Sequence, residues 1–172
     1  MDSQFLRISE VRSEEERAEA GEMLFGFLKW NRQRLANGWP VEAFEVQERV
    51  RDDVVNLARR AADESWTIFI AKLGDELAGC VVVRPVDQAD CELKRLFVVP
   101  HLQRAGLGRA LCLKAIETAR ERGFKRMMLD TADLQVEAVS LFEDLGFKRS
   151  APHRDDSPEV RSRVVFMAKD LA

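Results

Sequence analysis

The sequence contains no tyrosine, so no phenol is available as acid, base or nucleophile. Its two histidines, His101 and His153, stand alone, and no Cys and His cluster has metal-ligand spacing, so no metal is expected. The three cysteines, Cys80, Cys91 and Cys112, lie inside or at the edge of apolar patterns and read as buried reduced thiols, which fits a cytoplasmic protein. No apolar run reaches membrane-spanning length. The start, Met1-Asp2-Ser3-Gln4, lacks a basic segment followed by an apolar one, so export is not expected. A pI near 5.6 and the lack of a basic, aromatic-interleaved surface count against nucleic acid as a partner. Repeats, low-complexity tracts and linkers are missing too. With 172 residues, 46% hydrophobic and 33% charged, the expectation is one globular domain over residues 1–172.

What is present centres on Gln103-Arg104-Ala105-Gly106-Leu107-Gly108-Arg109-Ala110. The β-branched and aromatic run Leu96-Phe97-Val98-Val99 is stopped by Pro100, and the two glycines open a helical pattern lasting to about Gly123. A strand, glycine loop and helix in that order form an anion site, because the first N–H groups of a helix lack internal acceptors and the macrodipole adds positive charge there. Gly106 and Gly108 remove the Cβ atoms that would hold phosphates away. Between Glu92 and Arg126 there are nine Lys and Arg against three Glu, in a chain whose net charge is −3. The basic excess is therefore local to the loop. Arg104 lies inside it; Arg109, Lys114, Arg120 and Arg122 also suit a solvated helix face.

Two familiar phosphate loops do not fit. A P-loop needs Lys then Ser or Thr after its last glycine, where Arg109-Ala110 stand; a dinucleotide fingerprint needs a third glycine where Leu111 stands. The loop instead resembles the central signature of the acetyl-CoA-dependent GNAT superfamily of N-acyltransferases, Gln/Arg-x-x-Gly-x-Gly/Ala, which Gln103 to Gly108 matches in full. The resemblance extends through Gly79 to Pro85, Cys91 to Val98, Leu129-Asp130-Thr131 and Leu141 to Phe147.

Around this stretch, Phe5 to Val11 alternates as a strand, and Ser13 with Glu16 reads as a capping box opening a helix that Asn37-Gly38 stops. Pro40 starts a second helix carrying Phe44, Val50, Val54, Val55, Leu57 and Ala58, and Trp30, Trp39 and Phe44 cluster near the turn. Trp66 to Ala71 and Leu77 to Val83 form a hairpin around Gly74-Asp75. Cys91 to Val99 is a central strand, followed by the Gly106 to Arg122 helix capped by Gly123, a strand at Met127 to Asp130 and a helix from about Gln135. Phe147 to Ala151 and Val164 to Ala168 are the last strands, with a polar, mobile loop, Pro152 to Ser162, between them. The architecture is α/β with a mixed sheet flanked by helices; the resemblance implies a mostly antiparallel one.

The resemblance also implies roles. Backbone N–H groups of Arg104, Ala105, Gly106, Leu107, Gly108 and Arg109, with Gln103, would hold the pyrophosphate of acetyl-CoA, while the backbone of Leu96, Phe97 and Val98 pairs with the pantetheine arm. The Val98 N–H would polarise the thioester carbonyl. Glu92, eleven residues before Gln103, holds the place of a general base, with Asp130 as substitute; Glu92 also reads as a strand carboxylate paired with Lys94 or Arg95. Gln135 stands where Asn is common and would hydrogen-bond the pantetheine arm. Phe142, beside the cofactor, replaces the Tyr that protonates the leaving thiolate in many members; a thiol with an ordinary pKa of about 8.5 leaves without that help. The function implied is acetyl transfer to an amine of a small molecule, a peptide or protein N-terminus or a lysine, by a monomer or homodimer. The alternative is a catalytically weak acyl-CoA-binding sensor or interaction module. A nucleotide-binding α/β protein is disfavoured by the loop. The mixed charges of Pro152 to Ser162 would edge the acceptor pocket without naming the acceptor.

Overall fold

A computed structural model describes residues 5–36, 38, 56 and 66–172. The helix expected from Pro40, and with it Trp39 and Phe44, lies outside the described residues. Strand β1 (Leu6–Glu10) leads into helix α1 (Glu14–Leu35). Ser13 caps that helix reciprocally: its Oγ accepts from the Glu16 N–H at 3.1 Å, and Glu16 Oε2 accepts from the Ser13 N–H at 3.0 Å. Two orphan donors of the first turn are thereby satisfied.

Strands β2 (Thr67–Leu73) and β3 (Glu76–Pro85) form the hairpin turning at Gly74, whose φ of 62° suits a glycine. Then come β4 (Asp90–Val98), a single 3-10 turn at Pro100–Leu102, α2 (Leu107–Glu121), β5 (Arg126–Ala132), α3 (Val136–Asp144), β6 (Lys148–Arg149), α4 (Pro158–Arg161) and β7 (Val164–Asp170). The strand order is β1-β2-β3-β4-β5-β7-β6. Every neighbouring pair is antiparallel except β4 and β5, which are parallel. This is the mixed, mostly antiparallel sheet that was expected. Two details differ: the strand expected over Phe147 to Ala151 is the two-residue β6, and the loop after it contains α4, whose Ser157 Oγ accepts from the Val160 N–H at 3.3 Å.

Both faces of the sheet are buried, which is why β2 and β3 read as continuous apolar runs. Val81 and Val83 face Leu111, Cys112, Ala115 and Ile116 of α2; Cys80 and Val82, one residue out of phase, join Met23 and Leu24 of α1. Each fully buried aliphatic side chain contributes about 1.5–3 kcal/mol of transfer free energy.

Gly79 lets β3 and β4 approach: a Cβ there would lie 2.4 Å from the Phe97 carbonyl oxygen. Gly21, within α1, has nothing within 4 Å of such an atom. Gly79→Ala should therefore cost on the order of 1–3 kcal/mol through overpacking, whereas Gly21→Ala should add about 0.5–1 kcal/mol by restricting the unfolded chain. Thermal melts of the two variants should move in opposite directions; equal shifts would contradict the packing described.

Candidate active site

Parallel strands β4 and β5 pair at only three positions, Asp90↔Arg126, Cys91↔Met127 and Glu92↔Met128, and then part. Beyond Glu92 the β4 edge on that side has no strand partner among the described residues. A bulge adds to the divergence: the β3–β4 register jumps from Cys80↔Phe97 to Val82↔Lys94, and Arg95 sits at φ 56°. Into the gap opens a cavity of about 410 Å³. Leu93 to Leu96 of β4 line one wall, Met128 to Ala132 of β5 another, and Phe27, Asn31 and Leu35 of α1 reach in from the opposite side of the sheet.

At the far end of β4 lies the glycine loop. Gly106 precedes α2 at φ 83° and ψ −3°, and Arg104 is also left-handed at φ 67°. No side chain caps α2, so its first N–H groups keep their hydrogen-bonding capacity. A Cβ on Gly106 would meet nothing within 4 Å, and Arg104 and Arg109, both exposed, form no ion pair among the described residues. The loop is an open, positively charged cradle with the chemistry of a phosphate site. Gln103 turns inward, its Nε2 donating to the Val98 carbonyl at 3.0 Å, which ties the loop to the end of β4. Leu107 is buried and anchors the helix start, while Ala105 is exposed.

The other expected residues divide between the two faces. Leu96 lines the cavity. Phe97 points to the opposite face, its ring 6.2 Å from Phe27 and 5.9 Å from Trp30, and Val98 packs in the core beneath α2. Phe142 lines the cavity and is buried edge-on against Phe147 at 5.8 Å. Gln135 has both amide atoms engaged: Nε2 donates to Asn31 Oδ1 at 2.7 Å, and Oε1 accepts from Thr131 Oγ1 at 2.8 Å. It bridges α1, β5 and the start of α3 across the cavity, a link that also runs through Arg34 and Glu137 at 2.5 Å.

Glu92 is 2% exposed and stands where the strands begin to part. Arg84, its cross-strand neighbour, pairs with Oε2 at 2.5 Å; Lys94, two residues along the same face, pairs with Oε1 at 2.9 Å; His153 Nε2 approaches Oε1 at 3.3 Å. The chain of charges continues outward. Lys94 lies 3.7 Å from Asp130, Asp130 pairs with Arg154 at 2.5 Å, and Arg154 pairs with Asp156 at 2.7 Å while stacking over Phe166. Three carboxylates and three cations alternate from the sheet to the loop before α4. Burial alone would raise the Glu92 pKa, but His153, Lys94 and Arg84 outweigh it and hold the carboxyl well below the usual carboxylate range. The three thiols behave oppositely, each pushed up to about 12 by burial and therefore inert at neutral pH. Lys94 was foreseen as a Glu92 partner; Arg84, Asn31, Arg154 and Asp156 were not tied to particular contacts, because each depends on pairing between distant segments.

Because its folded pKa is depressed, Glu92 stabilises the fold fully above its unfolded value of about 4.5, and that contribution is lost as pH falls toward the folded pKa. Glu92→Gln leaves Arg84 and Lys94 without their shared carboxylate, so it should cost on the order of 3 kcal/mol at pH 7. The difference in melting temperature from the unaltered protein should narrow between pH 5 and pH 3, a window below the usual Glu pKa of about 4.3 for much of its span; a constant difference across that window would contradict the buried ion-pair assignment.

Comparisons with known proteins agree with this geometry. The family model described as Acetyltransferase (GNAT) family matches residues 25–147. The chain is 45% identical over 110 residues to the uncharacterized N-acetyltransferase YjgM of Escherichia coli, covering 62% of this chain and 64% of that protein. It is 34% identical over 103 residues to the probable N-acetyltransferase camello of Xenopus laevis, covering 58% and 47% respectively, so it spans from about half to just under two thirds of these relatives. Among solved structures, the PaiA N-acetyltransferase of Thermoplasma acidophilum, in complex with coenzyme A, superposes with a TM-score of 0.71 at 19% identity, over 96% of this chain and 99% of that one. Its fold is the fold described above. With the model covering most of the chain, and with the strand gap and glycine loop in place, the chain belongs to the GNAT acetyltransferase family.

Proposed function

We propose that this chain is an N-acetyltransferase that moves the acetyl group of acetyl-CoA directly to an amine. The observation that carries the reading is the continuity of three features along one strand: the phosphate cradle at Gly106, the edge of β4 that has no strand neighbour among the described residues, and the charged cavity at Glu92. The family supports it, as do the N-acetyltransferase names of the relatives and the coenzyme A held by the Thermoplasma neighbour.

In this reading the amides of Arg104 to Arg109 bind the pyrophosphate, with Arg104 and Arg109 supplying counter-charge. The edge of β4 from Leu96 to Val98, which has no strand neighbour among the described residues, receives the pantetheine arm as a strand receives a neighbour, and the Val98 N–H stabilises the oxyanion that forms on the thioester carbonyl. Gln103, by holding the Val98 carbonyl, fixes that end of the strand. Phe142 and Leu96 supply apolar wall. Gln135 must exchange one of its present partners, Asn31 or Thr131, to bond the arm. Proton removal from the amine takes place at the Glu92 end of the cavity. With Phe142 in place of Tyr, the thiolate departs unassisted and is protonated by water. The acceptor is an amine of a small molecule, a peptide N-terminus or a lysine. The protein acts in the cytoplasm as one domain, as monomer or homodimer.

Thiol release from acetyl-CoA, followed across amino acids, peptides with free N-termini, lysine peptides, polyamines and aminoglycosides, should identify at least one accepted amine. Titration calorimetry of Gly106→Ala should read CoA affinity weakened at least tenfold, about 1.4 kcal/mol or more, in a protein that still folds, because a side chain at φ 83° strains the loop that presents the phosphate-binding N–H groups while meeting no other atom within 4 Å. Unchanged CoA affinity in folded Gly106→Ala would contradict the phosphate assignment.

A further inference from the structure

The charges that line the cavity do not balance. Among the described residues, four cations, Arg84, Lys94, Arg95 and Arg154, face three carboxylates, Glu92, Asp130 and Asp156, an excess of one positive charge before His153 takes any proton. Each carboxylate is already matched. Glu92 pairs with Arg84 at 2.5 Å and with Lys94 at 2.9 Å, Asp130 with Arg154 at 2.5 Å and with Lys94 at 3.7 Å, and Asp156 with Arg154 at 2.7 Å. An acceptor with a second ammonium group therefore finds no carboxylate without a cation beside it, and adds to a positive excess where protein walls screen charge less than water does.

The cations are committed unequally. Lys94 bridges Glu92 and Asp130, and Arg154 bridges Asp130 and Asp156, with side chains 12% and 28% exposed; Arg84 holds a single carboxylate and is 38% exposed. Its place follows from the strand register, which sets Arg84 directly across from Glu92 just before β3 ends at Pro85. Of its guanidinium nitrogens, Nη2 donates to Glu92 Oε2, and Nε is enclosed without a partner. Nη1 has no partner among the described residues and is not enclosed as Nε is. A guanidinium held through one nitrogen keeps donors for a second carboxylate, in a planar fork that suits one.

Building on the acetyltransferase reading, we infer that the acceptor is an amine that also carries a carboxylate, as an amino acid does, and that Arg84 determines this specificity by binding the carboxylate through Nη1. The carboxylate is a handle: it takes no part in bond making, and the acetyl group goes to the nitrogen. An amino acid zwitterion brings no net charge into the cavity, sets its anion on the most exposed of the three paired cations and leaves the pairs of Glu92, Asp130 and Asp156 intact. Polyamines and aminoglycosides, with several ammonium groups and no anion, are the opposite case. A lysine inside a peptide chain has no carboxylate of its own to offer Arg84.

Matched acceptors test this on the unaltered protein: α-amino and ω-amino acids, each beside its own amide, followed by thiol release from acetyl-CoA. For the preferred acceptor, kcat/KM should be at least about tenfold higher for the acid than for its amide, with the difference in KM. Basicity biases the comparison the other way, because the amine of an amino acid amide is the less basic and more often neutral. An amide used as well as its acid, or a polyamine or aminoglycoside used better than any amino acid, overturns the inference and leaves the acetyltransferase reading standing. Arg84→Lys keeps a cation beside Glu92 and removes the fork, so the ratio of acid to amide should fall by about fivefold or more; Arg84→Gln should bring it to about one. Any loss that acts through Glu92 or through stability affects both acceptors and cancels in the ratio. A ratio unchanged in either folded variant overturns the role of Arg84. Failure of the unaltered protein to release thiol with any amine overturns the acetyltransferase reading, and the inference falls with it.

Discussion

The parting of β4 from β5 is the constraint on which the rest depends. Elsewhere in the sheet, neighbouring strands satisfy one another's backbone groups, but from Leu93 onward β4 keeps β3 on one side and gives up β5 on the other. A strand edge that gives up a neighbouring strand is expensive unless other groups satisfy it. The gap opens into the cavity lined by β4, β5, α1 and α3, and the glycine loop follows the far end of the same strand. The Arg95 bulge, the Gly79 contact with the Phe97 carbonyl, and the Gln103 bond to the Val98 carbonyl all fix the same few residues of β4. These features make the edge rigid as well as open.

The charges follow from that geometry. Glu92 occupies the last paired position before the gap, too buried to ionise alone and too well surrounded to stay neutral. Arg84 and Lys94 favour its ionised form, and the alternation through Asp130, Arg154 and Asp156 carries the compensation out to the loop before α4. A buried pair of this kind adds little net stability over apolar packing, yet removing one partner is costly. Its value here is positional: it holds His153 at the cavity wall through Nε2.

Much of this was legible in the sequence because its causes are local. Ser13 and Glu16 stand three residues apart, Gly74 turns a hairpin between two apolar runs, and Pro100 ends an extended run before Gly106 opens a helical one. The Glu92–Lys94 pair follows from the two-residue period of a strand. The short helix α4 has a local signal too, since Ser157 followed by Pro158 is a cap and first-turn pair, but it lies inside a polar, charged stretch whose composition reads as a loop. What could not be read was non-local: where β4 leaves β5, that Arg84 lies opposite Glu92, that Gln135 joins Asn31 to Thr131, and that residues 153–156 fold back over β5. Isolated in sequence, His153 carries no sign of the carboxylate 61 positions away.

The central claim is that the gap between β4 and β5 is the acyl-CoA site. The most direct measurement is an amide spectrum of the protein titrated with coenzyme A. The account predicts that the largest shifts fall on the amides of Arg104 to Arg109 and of Leu96 to Val98. Shifts confined elsewhere, with these amides unmoved at saturation, would contradict it.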